Sequence, residues 1–167
     1  MAVSAYEVIS TQTLGSAAAS VTFSSIPQTY TDLVLVVSNL SAASASNAFK
    51  MQVNSDTGNN YSCTFVEGDG SLAESGRRTS TNSFNFMDQV IGTNAYSINI
   101  INFMNYSNTT TYKTVLSRSS TAGTAVEAAV NLWRNTNAIS SFVIFFAASG
   151  NDIQSGTVFT MYGIKAA

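Results

Sequence analysis

The feature that most constrains the fold is the region Phe142 to Lys165, which holds two apolar runs on either side of a polar segment. The first run, Phe142 to Ala148, contains no polar residue, and the second, Thr157 to Ile164, mixes β-branched and aromatic residues. Such composition favours strands that are packed in an interior. The connection, Ser149 to Gly156, is rich in turn-forming residues. We therefore expect two strands that pair with each other at the centre of a sheet.

The rest of the chain repeats short alternating patterns that are separated by turn residues. Residues 49–54 and 61–65 alternate between apolar and polar side chains, and Asp56 to Asn59 lies between them. This arrangement predicts a hairpin over residues 49 to 66. The segment Ala122 to Arg134 fits both helical and strand spacing, but predicted strands on both sides favour a strand.

These patterns predict an all-β protein of about ten strands, because the chain has one proline and no convincing helix. Its 167 residues fit a single domain, 1–167, in which residues 1–20 supply an N-terminal arm and the first strand. Sandwich and barrel architectures both remain open at this point.

The charge content narrows the range of partners. Charged residues make up 10% of the chain, against about 25% in typical soluble domains, and Ser, Thr and Asn take their place. Such a surface repels like copies weakly and suits dense packing in an assembly. With only seven basic residues and a net charge of −2, the chain has no electrostatic footprint for nucleic acid. We expect neither a signal peptide nor a membrane span, and therefore synthesis and retention in a cytoplasm.

One long charged segment, Glu67 to Ser80, holds five of the sixteen charged residues. We predict that it is a loop. Loops of this length commonly bind something or move, so a contact with a neighbouring molecule is one interpretation, and a solvated tip is the other.

The sequence contains few groups of residues that could catalyse a reaction or bind a metal. The absence of histidine removes the commonest general base and the usual zinc ligand. Asp56-Thr57-Gly58 matches the core of an aspartic protease site, but two such loops are needed, and we interpret this single copy as a turn unless a dimer supplies the second. Cys63 alternates with Tyr61 and Phe65 and is predicted to be a small buried side chain. We therefore predict no catalytic residue, no metal ligand and no cofactor.

Two further site hypotheses remain as alternatives. A glycosidase needs two carboxylates across a cleft, and Glu67, Asp69 and Glu74 are the candidates. A lectin could stack Trp133 and tyrosines on sugar rings, although their alternating positions favour an aromatic core and subunit contacts.

Several segments together resemble a known family. They are Tyr6 to Ile9, Ile26 to Leu33, Leu132 to Phe142 and Gly156 to Lys165. In these strand and turn residues the chain is similar to small virion proteins of tailed bacteriophages, notably phages of cyanobacteria and other aquatic bacteria. The resemblance spans nearly the whole chain, and Phe-Thr-Met-Tyr-Gly-Ile near the end is its most recognisable piece.

The resemblance implies a jelly-roll-like antiparallel β-sandwich that belongs to the virion. Within the virion it implies a capsid cement or decoration protein, or else a tail-fibre head that binds a receptor or glycan. We favour a non-enzymatic cement protein, made in the host cytoplasm. It would act by subunit burial as a homotrimer and contact the major capsid protein or other virion proteins, with no nucleic acid or membrane partner.

Overall fold

The computed structural model describes residues 5–44, 48–87, 95–121 and 123–165. These residues form twelve strands and no helix. In chain order the strands are β1 (Tyr6–Thr13), β2 (Ser20–Phe23), β3 (Asp32–Leu40), β4 (Phe49–Val53), β5 (Tyr61–Gly68), β6 (Ala73–Thr81), β7 (Phe84–Met87), β8 (Ser97–Met104), β9 (Lys113–Thr121), β10 (Ala125–Trp133), β11 (Phe142–Phe146) and β12 (Val158–Ile164).

The strands form two antiparallel sheets of unequal width. The large sheet has eight strands in the order β1-β12-β3-β8-β9-β10-β5-β6, and the small sheet has four in the order β2-β11-β4-β7. The prediction of an all-β, antiparallel sandwich is confirmed, with twelve strands instead of about ten. The chain passes repeatedly from one sheet to the other, as in a jelly roll. Strand β1 lies in the predicted arm and first strand at 1–20, of which residues 1–4 lie outside the described residues.

A layer of aromatic rings joins the two sheets. Phe142 of the small sheet stacks on Phe103 of the large sheet, with ring centroids 5.5 Å apart. At one side of the layer the ring centroids of Phe23 and Phe159 are 6.3 Å apart. At the other side Phe84 packs edge-on against Tyr61, with ring centroids 5.0 Å apart. The small sheet therefore reaches from β12 to β5 across the inner face of the large sheet, and β1 and β6 lie at the two outer edges.

The predicted pairing of the two C-terminal runs is wrong. Strand β11 lies between β2 and β4 in the small sheet, whereas β12 lies between β1 and β3 in the large sheet. Both runs are interior strands, but they belong to opposite layers. The connection between them stays close to the core because Ile153 forms isolated bridges with Ala18 and Ala42. Two apolar strands are buried equally well when they pair within one sheet and when they face each other from opposite sheets of a sandwich. Their composition therefore does not show which of the two arrangements forms.

The predicted hairpin at 49–66 is also wrong, because its two strands lie in different sheets. Strand β4 pairs with β11 and β7, and β5 pairs with β10 and β6. Asn54 and Ser55 have φ values of 51° and 58°, a left-handed conformation that turns the chain out of the small sheet. The amide of Arg134 then donates to the carbonyl of Asn60 at 2.8 Å, which starts the pairing of β5 with β10.

The predicted loop at Glu67 to Ser80 is largely strand. Only residues 69–72 form the turn, and Ala73–Thr81 is β6, which pairs with β5 along its length. Strand β6 is the edge of the large sheet and is mostly exposed. Charged side chains are tolerated on an edge strand because they remain solvated, and they discourage pairing with other chains.

The first expected outcome concerns Gly163 in β12. A Cβ atom there would lie 2.4 to 2.6 Å from carbon atoms of the Tyr30 ring. That ring is held by a hydrogen bond from its hydroxyl to the Glu7 carboxylate at 3.0 Å. We expect Gly163→Ala to lower the free energy of unfolding by about 1 to 3 kcal/mol, the usual effect of overpacking.

Urea unfolding measures this effect, and Gly15→Ala is the matched control because a Cβ at Gly15 meets nothing within 4 Å. Equal stability of the two variants would contradict the close packing of Tyr30 on Gly163.

Candidate interaction surface

The outer face of the large sheet forms continuous rows of cross-strand neighbours through all eight strands. One row runs through Val8, Tyr162, Val34, Asn102, Leu116, Val130, Thr64 and Arg77. The next runs through Thr11, Thr160, Val36, Ile100, Arg118, Ala128, Val66 and Ser75. Side chains within a row are close enough to form one surface.

On strands β5, β8, β9 and β10 this face is apolar and exposed. Val66 is 57% exposed, Val126 60% and Val130 51%, and Ile98 and Leu116 are also exposed. Val130 lies directly opposite Leu116, Val66 lies opposite Ala128 between Val126 and Val130, and Ser120 stands between Val126 and Ile98. Folded monomers rarely leave a large contiguous apolar patch in water, and such patches mark interaction sites.

The patch is concave. A cavity of about 620 Å³, called here the apolar groove, has apolar walls formed by Val66, Ile98, Ile100, Val126 and Ala128. Its remaining lining comes from Glu67, Gly68, Arg118, Ser119, Ser120 and Glu127. A second depression of about 350 Å³ continues along the same strands past Leu116 and Val130. The outer face can therefore receive a protruding side chain as well as a flat surface.

On strands β5, β6, β8, β9 and β10 the outward charges are positive, whereas Asp32 of β3 occupies an outward position of the same sheet. Arg118 on β9 and Arg77 on β6 point outward, and no outward position of the described strands β5, β6, β8, β9 and β10 carries a carboxylate. This is unusual for a chain whose net charge is −2. A partner with acidic groups would be complementary to it.

The inner face of the same strands mixes polar side chains with the core residues, and strand β7 explains several of the polar ones. Among the described strands, β7 pairs only with β4, and it is fully buried. Its other edge is met by side chains of the large sheet. Asn131 accepts a hydrogen bond from the Asn85 amide at 3.0 Å, Ser119 donates to the Phe86 carbonyl at 2.9 Å, and the Cys63 thiol contacts the Asn85 carbonyl at 3.6 Å. Polar side chains point inward there because buried backbone groups need partners.

Three glutamates lie side by side on the inner face near the end of these strands. Glu67 of β5 is directly opposite Glu127 of β10 and also opposite Glu74 of β6. Glu127 is buried, and burial followed by the charge of Glu67 raises its pKa to about 7, while Arg78 opposes the shift. The pKa of Glu74 is raised by its hydrogen bond to Glu67 and by the charge of Glu67.

This geometry bears on the carboxylates considered for glycoside hydrolysis. Glu67 and Glu74 lie opposite each other on adjacent strands of one sheet, whereas glycosidase carboxyl groups flank the scissile bond from two sides of a cleft. Asp69 lies apart in the turn, where its carboxylate accepts hydrogen bonds from the amides of Ser71 and Leu72 at 2.8 and 2.7 Å. Within the described part of the chain no group of three or more His, Cys, Asp or Glu side chains could hold a metal ion.

Asp56 organises the turn that precedes β5, as the sequence interpretation of Asp56-Thr57-Gly58 predicts. Its carboxylate accepts hydrogen bonds from the Gly58 amide at 2.9 Å and from the Asn60 side chain. It also accepts one from the indole nitrogen of Trp133 at 2.7 Å. Although partial burial opposes it, these hydrogen bonds lower the pKa of Asp56, first that from Trp133. The carboxylate therefore holds a buried tryptophan in place.

The remaining residues that the sequence singled out are largely buried. Cys63 is buried as predicted, and burial raises the pKa of its thiol to about 11, so the unreactive thiol form prevails at neutral pH. Trp133 is buried and cannot stack on a sugar, while Tyr6, Tyr96 and Tyr112 are exposed. Tyr96 precedes β8 and Tyr112 precedes β9, at opposite ends of the large sheet, so they do not form one aromatic pocket.

Comparison with protein-family models, with curated proteins and with solved structures found no match. Residues 5–44, 48–87, 95–121 and 123–165 contain no helix long and apolar enough to cross a membrane.

Sequence reasoning missed the outer face because alternation does not say which side is inside. In β8 the isoleucines at 98 and 100 alternate with Ser97 and Asn99, and the structure buries the polar pair. The same inversion occurs in β10, where Glu127 and Asn131 are buried and Val126 and Val130 are exposed. One feature of the sequence could have revealed this. In β8 and β10 the odd-numbered and the even-numbered positions both contain residues that can be buried, so neither face is clearly the surface.

The row of glutamates predicts an unusual pH dependence of stability. Because the pKa of Glu127 in the folded state is about 7, above its usual value of 4.5, the folded state keeps a proton that the unfolded state releases. The stabilisation that this bound proton gives to the folded state is full below pH 4.5 and is lost as the pH rises through 7. We expect Glu127→Gln to raise the free energy of unfolding at about pH 8 by on the order of 2 kcal/mol and to flatten its decline above about pH 5.

Chemical unfolding across this pH range measures the effect. Glu7→Gln is the control, because Glu7 is paired with Lys165 and its pKa is lowered, so its variant should gain nothing at alkaline pH. An unchanged pH profile in the Glu127 variant would contradict the buried location of this carboxyl group.

The turn at Asp56 gives another expected outcome. In Asp56→Ala the buried indole N–H of Trp133 loses its acceptor, and we expect the free energy of unfolding to fall by about 1 to 3 kcal/mol. Thermal unfolding followed by Trp133 fluorescence checks this. Asp152→Ala is the control, since the Asp152 side chain makes no hydrogen bond with the described residues. A wild-type melting temperature for Asp56→Ala would refute the structural role.

Proposed function

We propose that this chain is a non-enzymatic structural protein of a tailed bacteriophage virion, acting as a capsid cement or decoration protein. The observation that carries the proposal is the apolar outer face on β5, β8, β9 and β10, which is exposed in the isolated chain. Cement proteins stabilise a shell by burying surface against neighbouring subunits, and this face offers the surface to bury.

Two properties of the sequence support the same role. The low charge content lets copies pack closely with little repulsion. The resemblance to small virion proteins of tailed phages rests on segments in β1 and β12, on the approach to β3 and on the connection from β10 to β11. We propose a homotrimer that also contacts the major capsid protein or another virion protein.

The two sheets differ in what they offer to a partner. The outer side of the small sheet carries Ser20, Thr22, Lys50 and Gln52, with Val143 and Phe145 between them, and polar positions outnumber apolar ones. The large sheet carries the exposed valines and isoleucine. We therefore propose that the large sheet faces the shell and that the small sheet faces solvent.

An electron-microscopy map of the particle tests the function. We expect the chain on the capsid, with contacts that bury well over about 1,000 Å² and that include the apolar groove. Val126→Asp should reduce its occupancy on particles, since a charge at the centre of a buried interface is unfavourable. Thr22→Asp, on the outer side of the small sheet, should retain wild-type occupancy.

A location at the tip of a tail fibre, with the apolar groove open to solvent, would overturn this proposal and favour a receptor-binding or glycan-binding head. Equal occupancy of both variants would exclude the large sheet as the contact.

A further inference from the structure

We propose that the glutamate row, which is Glu74 of β6, Glu67 of β5 and Glu127 of β10, is a proton-operated latch on the edge strand β6. The latch holds β6 on the large sheet at acidic pH and releases it above neutral pH. It acts within one copy of the chain, so it does not depend on a place in the virion.

Strand β6 is the member of the row that can separate most easily from the sheet. Strand β10 is paired on both sides, with β9 and β5, whereas among the described strands β6 pairs only with β5. All nine residues of β6 are described, and none belongs to the main apolar core. Segments with few buried apolar contacts open at a lower free-energy cost than the rest of a domain. Strand β6 can therefore be released while the other seven strands stay paired.

A small apolar cluster fastens β6 to its neighbour. Phe65 of β5 packs there with Cys63 and Ala129, apart from the main core. Gly76 of β6 lies opposite Phe65, so close that a Cβ atom at Gly76 would be 2.6 Å from the ring. The Arg78 guanidinium carbon lies 4.7 Å from the centroid of the same ring. A cation–π contact of this kind is modest, so a change of charge beside it can shift the balance between closed and open β6.

The surroundings of Glu127 make this balance depend on its proton. Burial increases along the glutamate row, from the exposed Glu74 through the half-buried Glu67 to Glu127, which is 3% exposed. The charged and titratable side chains around the row are Glu67 and Cys63 of β5, Glu74 and Arg78 of β6, Asp69 of the turn between them, and Lys50 of β4. Strand β7 has no titratable residue, and β9 places Ser119 opposite Glu127. Carboxylates therefore outnumber cations around Glu127, and its ionisation adds one more.

The closed strand holds the Glu127 proton more tightly than the open strand does. Burial, followed by the charge of Glu67, raises the pKa of Glu127 to about 7 while β6 is closed. Contact with water returns this pKa towards its usual 4.5 when β6 opens. The closed form is therefore favoured fully below pH 4.5, and this advantage disappears as the pH rises through 7. Opening frees the hydrogen-bonding edge of β5, to which another chain can add.

Amide hydrogen exchange, followed by NMR between about pH 5.5 and about pH 8 and expressed as protection factors, tests the latch. We expect the protection of β6 amides to fall by at least about tenfold over this range, because the open form has released the proton that the closed form keeps. Amides of β1, the opposite edge strand of the same sheet, should keep their protection, since β1 can fray without exposing Glu127. Amides of β8 should exceed those of β6 in protection at every pH, because a central strand exchanges only when the whole domain unfolds.

A variant at Glu127 separates the latch from a general effect of pH. In Glu127→Gln the side chain no longer titrates, so the protection of β6 should become independent of pH. Glu7→Gln is the matched control, because Glu7 lies on the opposite edge strand and is paired with Lys165. In this control β6 should respond to pH as it does in the wild type.

Protection of β6 that does not change with pH, that changes equally in β1, or that still changes in Glu127→Gln would overturn the latch. Amides of β6 that are as well protected as those of β8 would also overturn it, because the strand would then open only with the whole domain. The proposed function is tested separately. A wild type that shows the expected exchange but is missing from phage particles keeps the latch and refutes the cement role, whereas particle-bound protein without the pH response does the reverse.

Discussion

Burial of the free edge of β7 is the constraint on which much of this structure depends. An edge strand inside a protein presents amide and carbonyl groups that water cannot reach, and each unmet group costs about 1 to 3 kcal/mol. Here the large sheet meets them with Asn131, Ser119 and Cys63. Because side chains alternate along a strand, the inward positions of Ser119 in β9 and Asn131 in β10 leave Leu116, Val126 and Val130 on the outside. In these two strands the satisfaction of one buried edge and the apolar patch of the outer face therefore have the same origin.

The sequence was sufficient to predict the strands but not their partners. Residues 49–53 and 61–65 alternate clearly and are strands, as is Ala125–Trp133, where two spacings competed. Alternation is a local property, whereas the sheet to which a strand belongs depends on contacts between distant segments. The alternating pattern therefore did not reveal that β4 and β5, or β11 and β12, lie in different sheets. The charged segment after Glu67 was misjudged because an edge strand and a loop tolerate the same residues. The outer face was missed because the inward side of β8 and β10 looks like a surface in composition.

The carboxyl groups of this chain illustrate how position decides the role of a residue type. Asp56 and Asp69 accept backbone hydrogen bonds in turns and are held ionised by them. Glu127 lies among buried strands beside Glu67, where the charged form is unfavourable. Few acids remain to decorate the outer face of the large sheet, and both arginines there remain uncompensated by neighbouring acids on that face. The distribution, more than the net charge, gives the molecule distinct sides.

The position of β12 between β1 and β3 has a consequence for how the protein is made. Within the part of the chain that the structure describes, β12 is the only strand that pairs with β1, and β12 also lines one edge of β3. During synthesis the first strand must therefore wait for Val158–Ile164 to leave the ribosome before it can join the sheet. Until then the edge of β3, with its run of buried valines and leucines, is open. Before β12 is made, that edge of β3 has unpaired backbone groups and is the part of the growing sheet most open to pairing with another chain.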